Sequence, residues 1–318
     1  MNLLYLGKPT YGGWVSFTAH LSLKYNYKIY KIGKRTEKLK SGENRLRKFG
    51  YGTTYQNISI EDARNLPNII ITAIDKNYYK YIDEFSEKSS LVIHDPTEIK
   101  GNSCKPVIDV LNKYNIITIR RSVKDYLKNI YKIPSKFKVH PFFEYVKTNN
   151  SKTDSVSISR VDFDKHTDII LKANKLLPKD KLISVYGAKN DRYVYFKLKP
   201  ANLGFDKYYK GSFKKSFEEL DQILSSAKFV VDLSAIKNDG GGSQYTFLEA
   251  IYQDCILILN KKWVMAKGNI FIDGKNCILV EDETDIVNAI TKKYTDVELK
   301  SFVKQAKKLL KDHINVKW

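Results

Sequence analysis

Residues 240–260 run GGGSQYTFLEAIYQDCILILN. Three glycines lead into polar residues. An apolar face carrying the lone Glu249 follows, and a second apolar run, CILILN, closes the stretch. Glycine frees the backbone for a turn. The middle segment fits a short helix, and the last has the continuous apolar character of a buried parallel strand. Loop, helix and buried strand in that order are one repeat of an α/β sheet.

The same repeat recurs on both sides. Upstream, SFEELDQILSSA (216–227) fits a helix and KFVVDLS (228–234) a strand. Further back, SVSISR ends in a loop that opens the helix HTDIILKANKLLP, with Ile169, Ile170, Ala173, Leu176 and Leu177 on one side. KLISVYG (181–187) and FDKYYKGS (205–212) are predicted strands. Downstream, KNCILVED (275–282) is the last strand, and DIVNAITKKY and LKSFVKQAKKLLKDHI are terminal helices. The first half follows the same rule. NLLYLG (2–7), YKIYKIG (27–33), NIIITAI (68–74), SLVIHD (90–95) and NIITIRR (115–121) are predicted strands. Helices are expected after Gly12-Gly13 and over SVKDYLKNIY, and residues 34–54 are expected to be a loop. KFKVHPFFEY (136–145) closes this half, and the polar KTNNSKTDS (147–155) is the expected linker.

Two α/β domains are therefore expected, 1–148 and 149–318, with C-terminal helices of which the last returns to the first domain. A chain of 318 residues is too long for one ordinary core. Ligands of open parallel sheets bind beyond the carboxyl ends of the strands, so the expected site is a deep cleft between two facing sheets.

Composition narrows the partner. The formal net charge is +20, which favours a polyanion, either nucleic acid or an anionic membrane surface. A default Lys-rich composition is the competing explanation. No run is long and apolar enough to span a bilayer, and Gly7 and Pro9 interrupt the short apolar start before a signal-peptide core develops. A cytoplasmic protein is expected. Cys104, Cys255 and Cys277 lack metal-site or disulfide spacing and are expected to be reduced and mostly buried.

Several residues carry candidate chemistry. SRVDFDKH (159–166) puts Arg160 and Lys165 on one strand-to-helix loop. A planar fork and a movable point charge suit a pyrophosphate; two exposed surface charges are the alternative. The glycine-rich turn before Glu249 can offer backbone N–H groups to phosphate, and the carboxylate can accept from ribose hydroxyls. Both functions are what a sugar nucleotide requires; a surface helix Glu is the alternative. Gly12 and Gly13 permit close backbone approach before a helix N-terminus, but they form no GxGxxG. Pro96 holds Asp95 extended, so His94 and Asp95 sit at a strand tip, where either suits proton transfer or stabilisation of positive charge at a sugar carbon. His20, His140, His166 and His313 fit structural roles more readily. No zinc, hydrolase-elbow or P-loop motif is present.

In this order the motifs resemble the GT-B glycosyltransferases, specifically the large retaining branch that uses sugar nucleotides. The resemblance covers nearly the whole chain. It rests on YGGW, VIHD, IITIRRSVKDYLKNIYKIPSKFKVHPFFEYV, SRVDFDKHTDIILKANKLL, YTFLEAIYQDCILILN and DGKNCILVEDETDI. It implies a donor site from Gly12, Gly13, Arg160, Lys165, Gly187, Gly241, Gly242, Ser243, Gln244, Tyr245, Thr246 and Glu249, with Glu249 on the donor ribose. It implies catalytic roles for Asp95 and His94. One departure is that Gly241 stands where the family often has an earlier Glu, with Asp239 or the loop backbone as the substitute. GSQYTFLE, IHD and the basic surface further resemble the bacteriophage DNA alpha-glucosyltransferases.

That closer resemblance implies transfer of a sugar, glucose first, from a UDP-sugar to a hydroxymethylated pyrimidine in duplex DNA, protecting phage DNA from host nucleases in the host cytoplasm. The base would be flipped into the cleft. Lys34, Arg35, Lys38, Lys40, Arg45, Arg47 and Lys48 crowd one segment expected to contact DNA, and Tyr51 and Tyr55 are expected near the flipped base. The UDP-sugar is a co-substrate rather than a tightly bound cofactor, no divalent metal is required, and a monomer without membrane contact is expected. One alternative is a cytosolic bacterial transferase acting on a surface polysaccharide or glycolipid. Another is a non-catalytic nucleic-acid-binding protein on a decayed transferase fold.

Overall fold

The computed structural model describes residues 1–8, 12–33, 46–85, 89–95, 98, 105–213, 216–235, 242–264 and 269–318. The chain divides into two units, Met1–Glu144 with His313–Trp318, and Tyr145–Asp312.

The N-terminal unit holds an eight-stranded sheet. Its strands are β1 (Asn2–Leu6), β2 (Lys28–Ile32), β3 (Leu46–Lys48), β4 (Thr54–Ile58), β5 (Ile69–Ile74), β6 (Ser90–Ile93), β7 (Asn115–Thr118) and β8 (Lys136–Phe137). The spatial order is β3-β4-β2-β1-β5-β6-β7-β8, parallel throughout except the β3–β4 pair. Without the two outermost strands this is the doubly wound order 3-2-1-4-5-6, which reverses between β1 and β5. All six residues of β5 are buried, as expected of a strand covered on both faces. Leu4, Ile71, Leu91 and Ile116 share one core cluster. Residues 313–318 complete this unit: His313 Nδ1 donates to the His140 carbonyl at 2.8 Å, and Trp318 Nε1 to that of Val139 at 3.2 Å.

The C-terminal unit holds a five-stranded parallel sheet of β9 (Asp154–Ser157), β10 (Ile183–Val185), β11 (Ala227–Asp232), β12 (Ile256–Asn260) and β13 (Ile278–Val280). Its order, β10-β9-β11-β12-β13, reverses between β9 and β11. The helices Thr167–Leu176 and Glu283–Thr291 pack on it through Ile170, Leu171 and Ile286.

Two expectations for local structure are corrected. Residues 46–54 are not simply loop: β3 is there, and β4 begins at Thr54. Both are polar outer strands, and all three residues of β3 are exposed, so no apolar run announces them. FDKYYKGS (205–212) is not a strand. Phe205–Tyr208 is helical, entered from Gly204 at φ +67°, and only Tyr209 bridges to Val185. A short segment with aromatic residues at both spacings fits either structure, and the left-handed glycine decides it.

Candidate functional site

The C-terminal sheet reverses between β9 and β11, and open parallel sheets bind ligands beyond the carboxyl ends of the strands at such a reversal. The loop after β9 carries Arg160 and Lys165, and the turn after β11 carries Ser234. Lys165 is buried, and its ammonium donates to Ser234 Oγ at 2.5 Å and to Gln244 Oε1 at 3.2 Å. The Ser234 hydroxyl donates in turn to Asp232 Oδ1, and the Ser234 amide donates to the same atom at 2.9 Å. A buried ammonium needs such partners to offset its lost hydration. Two of its three N–H groups are thereby directed.

Gln244 precedes the helix Tyr245–Tyr252 in extended conformation and makes no side-chain capping bond to it. Its Oε1 is bound to Lys165, while its buried Nε2 has no partner among the described residues. Gly242 has φ +115°, and its carbonyl accepts from Trp263 Nε1 at 3.1 Å, which fixes the turn ahead of the helix. Ser243, Tyr245 and Glu249 are buried and Thr246 is half-buried. Burial, then the Glu249 charge, holds the Tyr145 and Tyr245 phenols well above their usual pKa. Gly241 and Asp239 lie outside the described residues.

Arg160 and Lys165 share a loop but not an environment. Arg160 is exposed and donates to Asp162 at 2.7 Å and to Asp164 at 3.3 Å. Asp164 Oδ2 also lies 4.0 Å from the Lys165 ammonium. The loop's own acids thus hold Arg160 by hydrogen bonds, while Lys165 is hydrogen-bonded to the neutral Ser234 and Gln244 and has Asp164 only at the longer distance. Gly187 packs against this loop. A Cβ there would lie 2.1 Å from the Ser159 carbonyl oxygen, and φ is +136°, so glycine is required on both counts.

In the N-terminal unit the glycine turn and the His94 strand tip meet through Glu98, a residue that sequence reasoning passed over. Gly12 has φ +100°, and Gly13 begins the helix Gly13–Tyr25. Trp14 Nε1 donates to Glu98 Oε1 at 2.6 Å, and the His94 amide donates to Glu98 Oε2 at 2.8 Å. Burial raises the Glu98 carboxyl well above the usual range. His94 is itself buried. Its Nε2–H donates to the Thr72 carbonyl at 2.8 Å, which leaves Nδ1 as the acceptor nitrogen. Burial lowers its pKa to about 4, so the ring is neutral at ordinary pH. Asp95 is half-buried at the same strand end.

His20 Nδ1 accepts from the Phe143 amide at 3.0 Å, His140 and His313 are buried, and His166 adopts φ +48° ahead of the helix Thr167–Leu176. Cys255 and Cys277 are free and buried, and burial pushes each thiol up to about 12; Cys104 lies outside the described residues. Of the expected DNA-contacting residues, Lys34, Arg35, Lys38, Lys40 and Arg45 also lie outside them. Arg47 and Lys48 are exposed on β3. Tyr51 and Tyr55 follow β3 in the chain. Both are buried, and the Tyr51 hydroxyl is engaged with Ser16 Oγ at 2.9 Å. Among the described residues no group of three or more His, Cys, Asp or Glu is placed to hold a metal, and no helix is long and apolar enough to cross a membrane.

No family model matches the sequence, and no curated protein matches it. Solved structures do match. Anabaena HepE in complex with UDP-glucose aligns at 13% identity over 99% of this chain and 95% of that one, with a TM-score of 0.72. The chain has the GT-B fold. Two other GT-B structures align less completely. Pneumococcal O-GlcNAc transferase GtfA in complex with UDP and GlcNAc gives 16% identity, 86% and 60% coverage and a TM-score of 0.56. A variant of S. aureus TarM in complex with fondaparinux, alpha-GlcNAc-glycerol and UDP gives 17% identity, 76% and 51% coverage and a TM-score of 0.57. At these identities the likeness is one of fold. In this GT-B chain Lys165 and Gln244 meet beside the reversal of the C-terminal sheet, and Glu249 is buried on the helix that Gln244 precedes.

Proposed function

We propose that the chain is a GT-B glycosyltransferase that takes a hexose, glucose first, from a UDP-sugar and places it on a hydroxymethylated pyrimidine of duplex DNA. The observation that carries the donor half is the Lys165 ammonium, buried and directed by Ser234 and Gln244 at a sheet reversal. That ammonium and the N-terminus of the Glu249 helix suit a diphosphate. The Glu249 carboxylate suits ribose hydroxyls. Arg160 would reach the same diphosphate by exchanging its bonds to Asp162 and Asp164 for phosphate oxygens.

Transfer breaks the bond between the anomeric carbon and the UDP oxygen and forms one to the acceptor oxygen, with retention of configuration. The acceptor proton leaves with the departing diphosphate or through Asp95. His94 is neutral, so its Nδ1 serves as a hydrogen-bond acceptor for a sugar or acceptor hydroxyl. The DNA half rests on the +20 formal charge and on Arg47 and Lys48 exposed at the sheet edge. A second reading, transfer to a surface polysaccharide or glycolipid, is favoured by the company of TarM with alpha-GlcNAc-glycerol and UDP.

The test is a transfer assay with a panel of sugar nucleotides and duplexes carrying unmodified, hydroxymethyl-cytosine or hydroxymethyl-uracil bases. Mass spectrometry of the digested nucleosides would reveal a hexose-sized gain on one hydroxymethylated base. Donor binding or hydrolysis without any gain on DNA would reject the DNA acceptor and favour the glycan or glycolipid reading. Failure to bind any sugar nucleotide would reject the transferase itself.

A further inference from the structure

The helix Asp296–Asn315 borders a groove of about 740 Å³ that shares no lining residue with the donor site. Its floor is apolar, from Ile256, Leu299 and Val303. Its walls carry seven lysines against two acids, Asp254 and Asp296. Two of those lysines are committed. Lys307 pairs with Asp254, and Lys152 donates to the Leu224 and Gln253 carbonyls at 2.7 and 2.6 Å. Lys300, Lys304, Lys308 and Lys311 are exposed and form no ion pair among the described residues.

These four follow one stripe of the helix. At about 100° and 1.5 Å per residue they fall within an arc of roughly 80° and cover about 16 Å of axis. One strand of duplex DNA presents a phosphate about every 3.4 Å along its axis, so the stripe spans about five phosphates. A membrane-lying helix would instead expose large apolar residues beside its lysines. Here Leu299 and Phe302 pack on the core and Ala306 and Leu310 are buried. The exposed residues of the stripe are Lys300, Lys304, Lys308 and Lys311, with Val297 the one large apolar residue exposed on this helix, in its first turn.

We propose that this stripe is a second nucleic-acid surface that holds the phosphate backbone of duplex DNA, without sequence preference and apart from the Arg47 and Lys48 edge. It extends the DNA-acceptor reading by naming where the C-terminal unit grips the duplex. The lysine ammoniums would meet phosphates, and the apolar floor would lie against deoxyribose.

The test uses the full chain and an unmodified duplex without donor, so binding is read apart from transfer. Fluorescence anisotropy gives the affinity across a salt series. Changing Lys300, Lys304, Lys308 and Lys311 together to Ser should weaken binding on the order of 10²- to 10³-fold near 0.1 M salt. The slope of log K against log salt should become shallower by about 3. UDP-glucose affinity should be unchanged, which reports an intact fold. Removing the same charge from Lys172, Lys175, Lys179 and Lys181 should change the DNA affinity far less. Equal losses in the two variants would overturn the proposal, as would unchanged binding in the stripe variant. So would binding confined to phosphatidylglycerol vesicles, or to no polyanion. DNA binding lost with the stripe, in a chain that transfers no sugar to DNA, would keep this surface and remove only the acceptor reading.

Discussion

The Lys165 ammonium lies 2.5 Å from the Ser234 hydroxyl, which is itself bound to Asp232. A charge held this way is aimed before any ligand arrives, and preorganised charge is what stabilises a leaving diphosphate. Lys165→Met should therefore weaken UDP binding at least tenfold by calorimetry and cut donor turnover on the order of 10²-fold or more. Ser234→Ala keeps the charge but loses its aim, so it should lose turnover with a smaller change in UDP affinity. Equal UDP affinity in Lys165→Met and the wild type would remove Lys165 from the donor site.

Gly187 tests the loop rather than the charge. A Cβ there meets the Ser159 carbonyl oxygen at 2.1 Å, so Gly187→Ala must displace one of the two segments. The expected cost is about 3 kcal/mol or more, read as a lower unfolding midpoint in urea. UDP affinity should fall as the Arg160–Lys165 loop shifts. A variant as stable as the wild type would mean that the loop yields freely.

Glu98 joins Trp14 to the His94 amide. Glu98→Ala leaves the indole N–H and the amide without an acceptor, at an expected cost of about 1–3 kcal/mol each in a buried site. Glu98→Gln keeps one acceptor oxygen and should recover part of the stability. Trp14 fluorescence should shift in both variants. Transfer should fall more than UDP affinity, because Lys165 and Glu249 remain in place.

The His94 ring has a definite pH signature. Burial lowers its pKa to about 4, below the unfolded value near 6.5. Between those values the unfolded chain binds the extra proton, so this stabilisation is complete above about pH 6.5 and is lost as pH falls towards 4. The full contribution is about 3 kcal/mol. His140 shifts in the same direction and Glu98 in the opposite one, so the comparison is with His94→Gln. Urea unfolding at pH 4.5, 5.5 and 7.5 should show the wild type losing more stability on acidification than His94→Gln. Parallel curves would falsify the assignment.

The repeat of the two sheets was legible because their inner strands are continuous apolar runs, such as IIITAI and ILILN. The outer strands β3 and β4 were not, since their polar residues resemble a loop. In the site, the sequence put Arg160 and Lys165 on one loop but could not tell the buried cation from the one held by the loop's own acids. Ser234 and Asp232 carried the same signal as His94 and Asp95, polar groups ending an apolar strand, and were passed over. Glu98 gave little sign, because its partners Trp14 and His94 become neighbours only when β6 and the first helix fold together.

The six residues His313–Trp318 belong to the unit that begins the chain, and they reach it only after the whole of the other unit has been made. During synthesis the first 144 residues must wait, without the partners of Val139 and His140, for about 170 residues to leave the ribosome. The C-terminal unit, continuous from Tyr145 to Asp312, can close first. Removal of His313–Trp318 would take partners from Val139 and His140, in a unit that those six residues never adjoin in sequence.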